Sequence, residues 1–227
     1  MPFQDLASRV ASVREQIERA RATGGHGQPV TIVAVTKTYG PEAAAAAWDV
    51  GLRDVGENRV QEAAAKMPQV HAPLRWHLIG HLQRNKVKQV DAFHLVHSMD
   101  SGRLADTLSE HGTARGRPVD VLVQVNVSGE GSKGGYAAAD VEGEAERLRT
   151  LAGIVVRGVM TMAPLDADVA TLRRVFGGAR RCGEWLRAAG HPAAELSMGM
   201  SGDYEIAVEE GATLVRLGTV LFGARAA

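Results

Sequence analysis

A single cysteine, Cys182, stands in the whole chain, so no intrachain disulfide can staple it. That usage fits a reducing compartment. Charge of one sign is lacking too: Lys+Arg 26 stand against Asp+Glu 26, a formal net charge of +0. The balance offers no footprint for a nucleic acid or an anionic membrane surface. Long apolar runs are missing. No segment approaches the ~20 apolar residues of a membrane span. Glu15 and Glu18 interrupt the N-terminal stretch where a secretory signal needs unbroken apolar residues. Beyond the glycine-rich residues 23–28 there is no linker, low-complexity tract or break in composition. These absences point to a soluble, cytoplasmic protein, expected as one domain over 1–227. With 45% hydrophobic residues, a chain of 227 can bury a core without metals or disulfides.

What is present is an alternation of short β-branched runs with amphipathic segments. Residues 6–22 predict an opening helix. Strands are predicted at 30–36 (VTIVAVT), 54–55, 76–79, 94–97, 119–127 (VDVLVQVNV), 155–160, 195–198 and 213–217. Helices are predicted at 41–50, with Pro41 in the first turn, and at 57–67 and 82–90. Another runs to Glu110, capped by Asp100 or Ser101, and more follow at 137–151, 168–189 and 204–210. Apolar strands joined by crossover helices make a parallel sheet covered on its outer face. Eight such units predict an α/β fold, a (β/α)8 TIM-type barrel with an extra N-terminal helix, over its rival, an open doubly wound sheet. In such a barrel, residues just beyond the strands share the rim where chemistry collects.

Lys37 heads that rim, at the end of an apolar strand. Desolvation there would penalise its ammonium form, and a partly neutral amine is what Schiff-base formation requires. The plainer reading is a lysine that snorkels outward or pairs with Glu57. Ser201-Gly202 and Gly218-Thr219 follow the last two predicted strands, the recurrent phosphate-binding loops of such barrels. Glycine lets the backbone approach an anion, and helix N-termini present free N–H groups; the alternative is that these glycines only make tight turns. Arg216 lies inside the last strand and demands an acceptor. A pyridine nitrogen would serve, as would an ion pair with Glu209 or Glu195. His77 and His81 are four apart but do not share a helix face, which disfavours metal. The loop at 128–135, with Lys133, lacks the Walker spacing. Met160, Met162, Met198 and Met200 read as core or rim packing. Arg84, Lys86 and Lys88 read as a solvated basic face.

Seven collinear motifs then carry a resemblance. They are AVTKTYG at 34–40, VGENRVQE at 55–62, WHLIGHLQRNK at 76–86, QVNVSGEGSKGG at 124–135, GVMTMAP at 158–164, LSMGMSGDYEIAV at 196–208 and VRLGTVLFG at 215–223. With these the chain resembles the pyridoxal phosphate homeostasis proteins, which are similar to the N-terminal barrel of alanine racemase. The resemblance implies a fold-type III barrel holding pyridoxal 5′-phosphate (PLP). It implies Lys37 as the Schiff-base lysine and Arg216 facing the pyridine nitrogen. Ser201, Gly218 and Thr219, with backbone near Met200, would hold the phosphate. Asn58 would lie beside the ring, and Gly80 and His81 on the same rim. The chain departs from the family pattern at Arg59, Leu78, His81 and the pair Gly134-Gly135.

The resemblance also frames the activity. A PLP carrier in vitamin B6 homeostasis, probed by amino acids as weak ligands and serving apo-PLP enzymes, is one class. A racemase-like amino-acid enzyme is the other, and a barrel for a different phosphorylated molecule is a third. Two-base racemisation needs an acid/base on each face of the substrate. Alanine racemase takes one from an added domain, for which the chain, ending at Ala227, is expected to leave no sequence. Of Tyr39, Tyr136 and Tyr204, only Tyr39 stands near Lys37 as a local second base. The expectation is a mainly monomeric carrier without turnover.

Overall fold

Eight parallel strands close on themselves in the computed structural model, which describes residues 3–129 and 134–223. They are β1 (Thr31–Val35), β2 (Asp54–Glu57), β3 (Arg75–Leu78), β4 (Leu95–Met99), β5 (Val119–Asn126), β7 (Ile154–Met160), β8 (Glu195–Ser197) and β9 (Leu214–Leu217). Pairing of β4 with β5 and of β1 with β9 seals the ring. The expected (β/α)8 barrel is therefore the fold. A two-residue strand, β6 (Tyr136–Ala137), adds to the end of β5 outside the ring. It takes the start of the segment expected to be helical from 137, and the helix α5 is confined to Val141–Arg149.

The helices lie outside. They are α1 (Leu6–Gly24), α2 (Pro41–Asp49), α3 (Val60–Lys66), α4 (Gly102–Ala114), α5, α6 (Val169–Ala188), α7 (Tyr204–Glu209) and α8 (Thr219–Phe222). The crossover at 82–90 is not α-helical. Arg84–Ala92 is a 3₁₀ helix whose buried residues Val87 and Val90 fall three apart, a spacing that suits its three-residue turn. The fourth helix runs to Ala114 rather than Glu110. Its N-cap is Ser101, but no side chain caps it; the Ser101 hydroxyl instead donates to Asp100. Asp168 does cap α6, accepting from the Thr171 N–H at 2.7 Å. Among the described residues no helix is long and apolar enough to cross a membrane.

Most apolar burial lies between the strands and the helical shell. Among the described residues a second, small apolar cluster, separate from the main core, gathers Val33, Leu95, Leu122, Met160 and Leu214. Buried polar side chains run beside it, with Asp54, His77, His97, Ser197 and Arg216 all under a tenth exposed. The shell packs closely where α4 meets the loop before β7. A Cβ built on Gly153 would lie 1.8 Å from the Ser109 carbonyl oxygen and 2.7 Å from the Thr113 nitrogen, both backbone. Gly153→Ala should thus force the helix away and cost about 2–3 kcal/mol, measured as a fall in the denaturant midpoint with an unchanged m-value.

Candidate functional site

All seven sequence-predicted residues sit at the end of the barrel where the strands finish. Lys37 is the second residue beyond β1 and is half-buried; Asn58, also half-buried, is the first beyond β2. Arg216 is in β9, paired in register with Val33 of β1, and is buried. Gly218 directly follows β9, and Thr219 begins α8. Met200 and Ser201 fall in the loop after β8, with Met200 exposed. Strand adjacency brings these segments together: β2 neighbours β1, β1 neighbours β9, and β9 neighbours β8. Gly80 joins the same rim, so close to Asn58 that an added Cβ would lie 2.3 Å from the Asn58 carbonyl oxygen.

The backbone beside Lys37 is strained. Thr38 has φ +68°, a left-handed conformation costly for a β-branched residue, on the order of 1–3 kcal/mol. Two bonds hold it there. The Thr38 N–H donates to Glu62 Oε1 at 2.6 Å, and the Tyr39 N–H donates to the Thr36 carbonyl at 3.1 Å. Beneath the turn lies a buried ion pair that the sequence did not announce. Lys66 Nζ donates to Glu57 Oε1 at 2.5 Å and to the Thr36 carbonyl at 2.9 Å. The Thr36 hydroxyl donates to the same Glu57 oxygen at 2.6 Å. Burial raises the Glu57 pKa, and the bonds from Lys66 and Thr36 offset only part of that rise. Glu57 Oε2 has no hydrogen-bond partner among the described residues. Glu57, weighed as one alternative partner for Lys37, carries a bond from Lys66, held on α3.

The ion pairs weighed for Arg216 also fall away. Glu209 pairs with Arg173, and Glu195 accepts from the Thr213 hydroxyl. Arg216 instead donates through Nη1 to the Ser197 carbonyl and hydroxyl, both at 2.7 Å, and through Nη2 to the Thr161 carbonyl at 2.9 Å. Burial lowers its pKa to about 10, with Asp203 pulling the other way. The loops after β8 and β9 meet at Ser201, whose Oγ accepts from the Gly218 and Val220 N–H groups, each at 3.3 Å. Space is left around them. A Cβ on Gly202 would meet nothing within 4 Å, and one on Gly218 only Val35 at 3.6 Å. The loop is braced by the Met200 N–H donating to Asp203 Oδ1 at 2.6 Å.

His77 and His81, weighed as a metal pair, do not meet. His77 is in the core against His97, while His81 is exposed and bonds Asp100. No group of metal-binding residues forms among the described residues. Lys133 lies outside the described residues. Met160 and Met198 are buried, Met162 packs on the second apolar cluster, and Met200 is exposed on the rim. Lys86 lines a cavity of about 240 Å³ with Arg59 and His81, so the basic face is partly enclosed. Tyr39, weighed as a local second base, is engaged in packing. Its ring packs on Phe3 and Phe222, and its hydroxyl donates to the Gly223 carbonyl at 3.4 Å.

Barrel, rim lysine and paired loops define a class: residues 9–226 match the family described as alanine racemase, N-terminal domain. The pyridoxal phosphate homeostasis protein of Pseudomonas aeruginosa is 42% identical over 223 residues, covering 97% of this chain and 96% of that one. The protein of that name from Aquifex aeolicus is 38% identical over 225 residues, covering 97% and 99%. A solved structure of PipY from Synechococcus elongatus with PLP bound superposes with a TM-score of 0.84 at 37% identity, covering 96% of this chain and all of that one. The chain belongs to the pyridoxal phosphate homeostasis protein family.

Proposed function

We propose that the protein holds PLP as a Schiff base on Lys37 and acts in intracellular vitamin B6 homeostasis as a carrier without turnover. The observation that carries this reading is one rim on which Lys37, the donor-only guanidinium of Arg216 and the Ser201–Gly218 loop junction lie together. The donor set suits the molecule. The Gly218 and Val220 amides, now bonded weakly to Ser201, together with the Ser201 and Thr219 hydroxyls, offer a phosphate both donors and room. A pyridine nitrogen accepts from Arg216, and only in its unprotonated form. Asn58 would lie beside the ring, with Met200 backbone at the phosphate end. PLP supplies an aldehyde that condenses with amines and a ring that withdraws electrons, and an arginine at the ring nitrogen weakens that withdrawal.

Tyr39, whose contacts commit it to packing, supports a carrier over a racemase-like enzyme. The relatives named as homeostasis proteins align over nearly their whole length. The carrier is read as a cytoplasmic monomer whose cofactor passes to apo-PLP enzymes, with free amino acids as weak competing ligands. The test is transfer. Holo-protein mixed with an apo-PLP enzyme should activate it faster than when a dialysis membrane separates the two. Equal rates would leave only passive release. Incubation with L-alanine and other amino acids should leave their chirality unchanged, and appreciable racemisation would contradict the carrier.

A further inference from the structure

One line of hydrogen bonds crosses the barrel interior and ends on Arg216. At its far end Arg75, half in solvent, grips Asp54 through Nε at 2.8 Å and Nη2 at 2.6 Å. Asp54 Oδ1 lies 2.9 Å from His77 Nε2, and His77 Nδ1 lies 2.9 Å from His97 Nε2. His97 Nδ1 lies 2.8 Å from the Ser197 hydroxyl, which accepts from Arg216 Nη1 at 2.7 Å. His77 is 2% exposed, and His97 and Ser197 are 0%.

With both rings neutral, the two ends set the direction of every bond between them. Arginine only donates, and an ionised carboxylate only accepts. Burial pushes the Asp54 pKa up, but the bonds from His77 and Arg75 outweigh it and leave it lowered, so Asp54 is ionised. A neutral His77 then donates from Nε2, which leaves its Nδ1 to accept. His97 donates to it from Nε2 and accepts at Nδ1 from the Ser197 hydroxyl. The network thus assigns both rings the same neutral tautomer, with every bond running one way from Arg216 to Asp54. Burial, with His77 and Arg216 close by, holds His97 well below the usual histidine range. His94, edge-on to His77, is likewise held down by burial.

Such a chain matters most for a group like Arg216. Its charge is buried, its other partners are neutral carbonyls, and among the described residues no carboxylate bonds it. Polarised hydrogen bonds in series strengthen one another in a low-dielectric interior.

We propose that Asp54, His77, His97 and Ser197 are positioning residues: their one-way chain fixes the Arg216 guanidinium in a single orientation toward the ring nitrogen of bound PLP and tunes the cofactor from the opposite rim. The proposal rests on the reading of Lys37 and Arg216 above, and goes beyond it in assigning a role to four residues that do not touch the cofactor. Nitrogen-15 NMR of the histidine rings in the apo-protein tests the chain without any cofactor. A neutral His97 ring that stays protonated at Nε2 between about pH 5.5 and 8.5 is expected, with the His77 proton toward Asp54 on Nε2. Titration of the His97 ring near 6.5, the ordinary histidine value, or a neutral ring of either residue protonated at Nδ1 would overturn the chain.

Ser197→Ala then tests the coupling. It removes one small buried hydroxyl, and with it both the Arg216 bond and the donor to His97. The variant should still fix PLP on Lys37, but bind it about tenfold more weakly, with a shifted visible maximum and a shifted pH midpoint for that band. An unchanged affinity and spectrum would overturn the proposal, because a purely structural serine would leave the spectrum alone. His97→Gln, which retains a donor and an acceptor, should recover more of the wild-type spectrum than His97→Phe. Should the wild-type protein take up no PLP at all, the function reading fails with the coupling, whereas the apo NMR result stands separately.

Discussion

Lys66→Met should lower the unfolding free energy by about 3–5 kcal/mol, the usual penalty for stripping one partner from a buried ion pair. The variant leaves the Glu57 carboxylate fully buried with one oxygen already lacking a partner, and takes a bond from the Thr36 carbonyl. Glu57→Gln added to Lys66→Met removes the uncompensated charge and should return much of the loss. A double-mutant cycle read from denaturant midpoints would therefore show a large coupling between the two positions. A Lys66→Met protein within about 1 kcal/mol of wild type would mean that the pair is not buried as described. The effect should reach the site, since Thr36 immediately precedes Lys37. The loosened turn at Thr38 should also weaken PLP retention.

Lys37→Ala should remove the visible band of the PLP-loaded protein and raise the dissociation constant for PLP by about a hundredfold or more, equivalent to about 2.7 kcal/mol. The fold should not suffer. Lys37 is half-buried at the rim, and its replacement is expected to shift stability by no more than about 1 kcal/mol. The two predictions separate cleanly: one lysine supports the turn from below, and the other acts from its surface. A Lys37→Ala protein that remains yellow would move the cofactor to another amine.

Much of this site is legible in the amino-acid sequence. Strand ends are marked by where apolar runs stop, and a parallel barrel puts all those ends on one rim. Lys37, Asn58, Ser201, Gly218 and Thr219 follow from that rule, and Arg216 stands out as a charge inside an apolar strand. The barrel interior is not legible. His77 and His97 are 20 residues apart, and His97 and Ser197 are 100 apart, so only ring closure brings them into bonding distance. A histidine within a buried parallel strand carries no periodic signal, since both faces are covered. Lys66 is hidden for a different reason. Four residues after Glu62 on a helix, it reads as an exposed pair, yet α3 turns that face inward against Glu57. The 3₁₀ crossover at Arg84–Ala92 escapes the pattern because a repeat of three over so few residues also fits an α-helix.

The most direct measurement is borohydride reduction of the PLP-loaded wild-type protein, followed by peptide mass mapping. A single reduced pyridoxyl adduct on Lys37, formed as the visible band disappears, is the expected result. Labelling of another lysine, such as Lys66 or Lys86, with Lys37 left unmodified, would contradict the assignment of this rim as the PLP site.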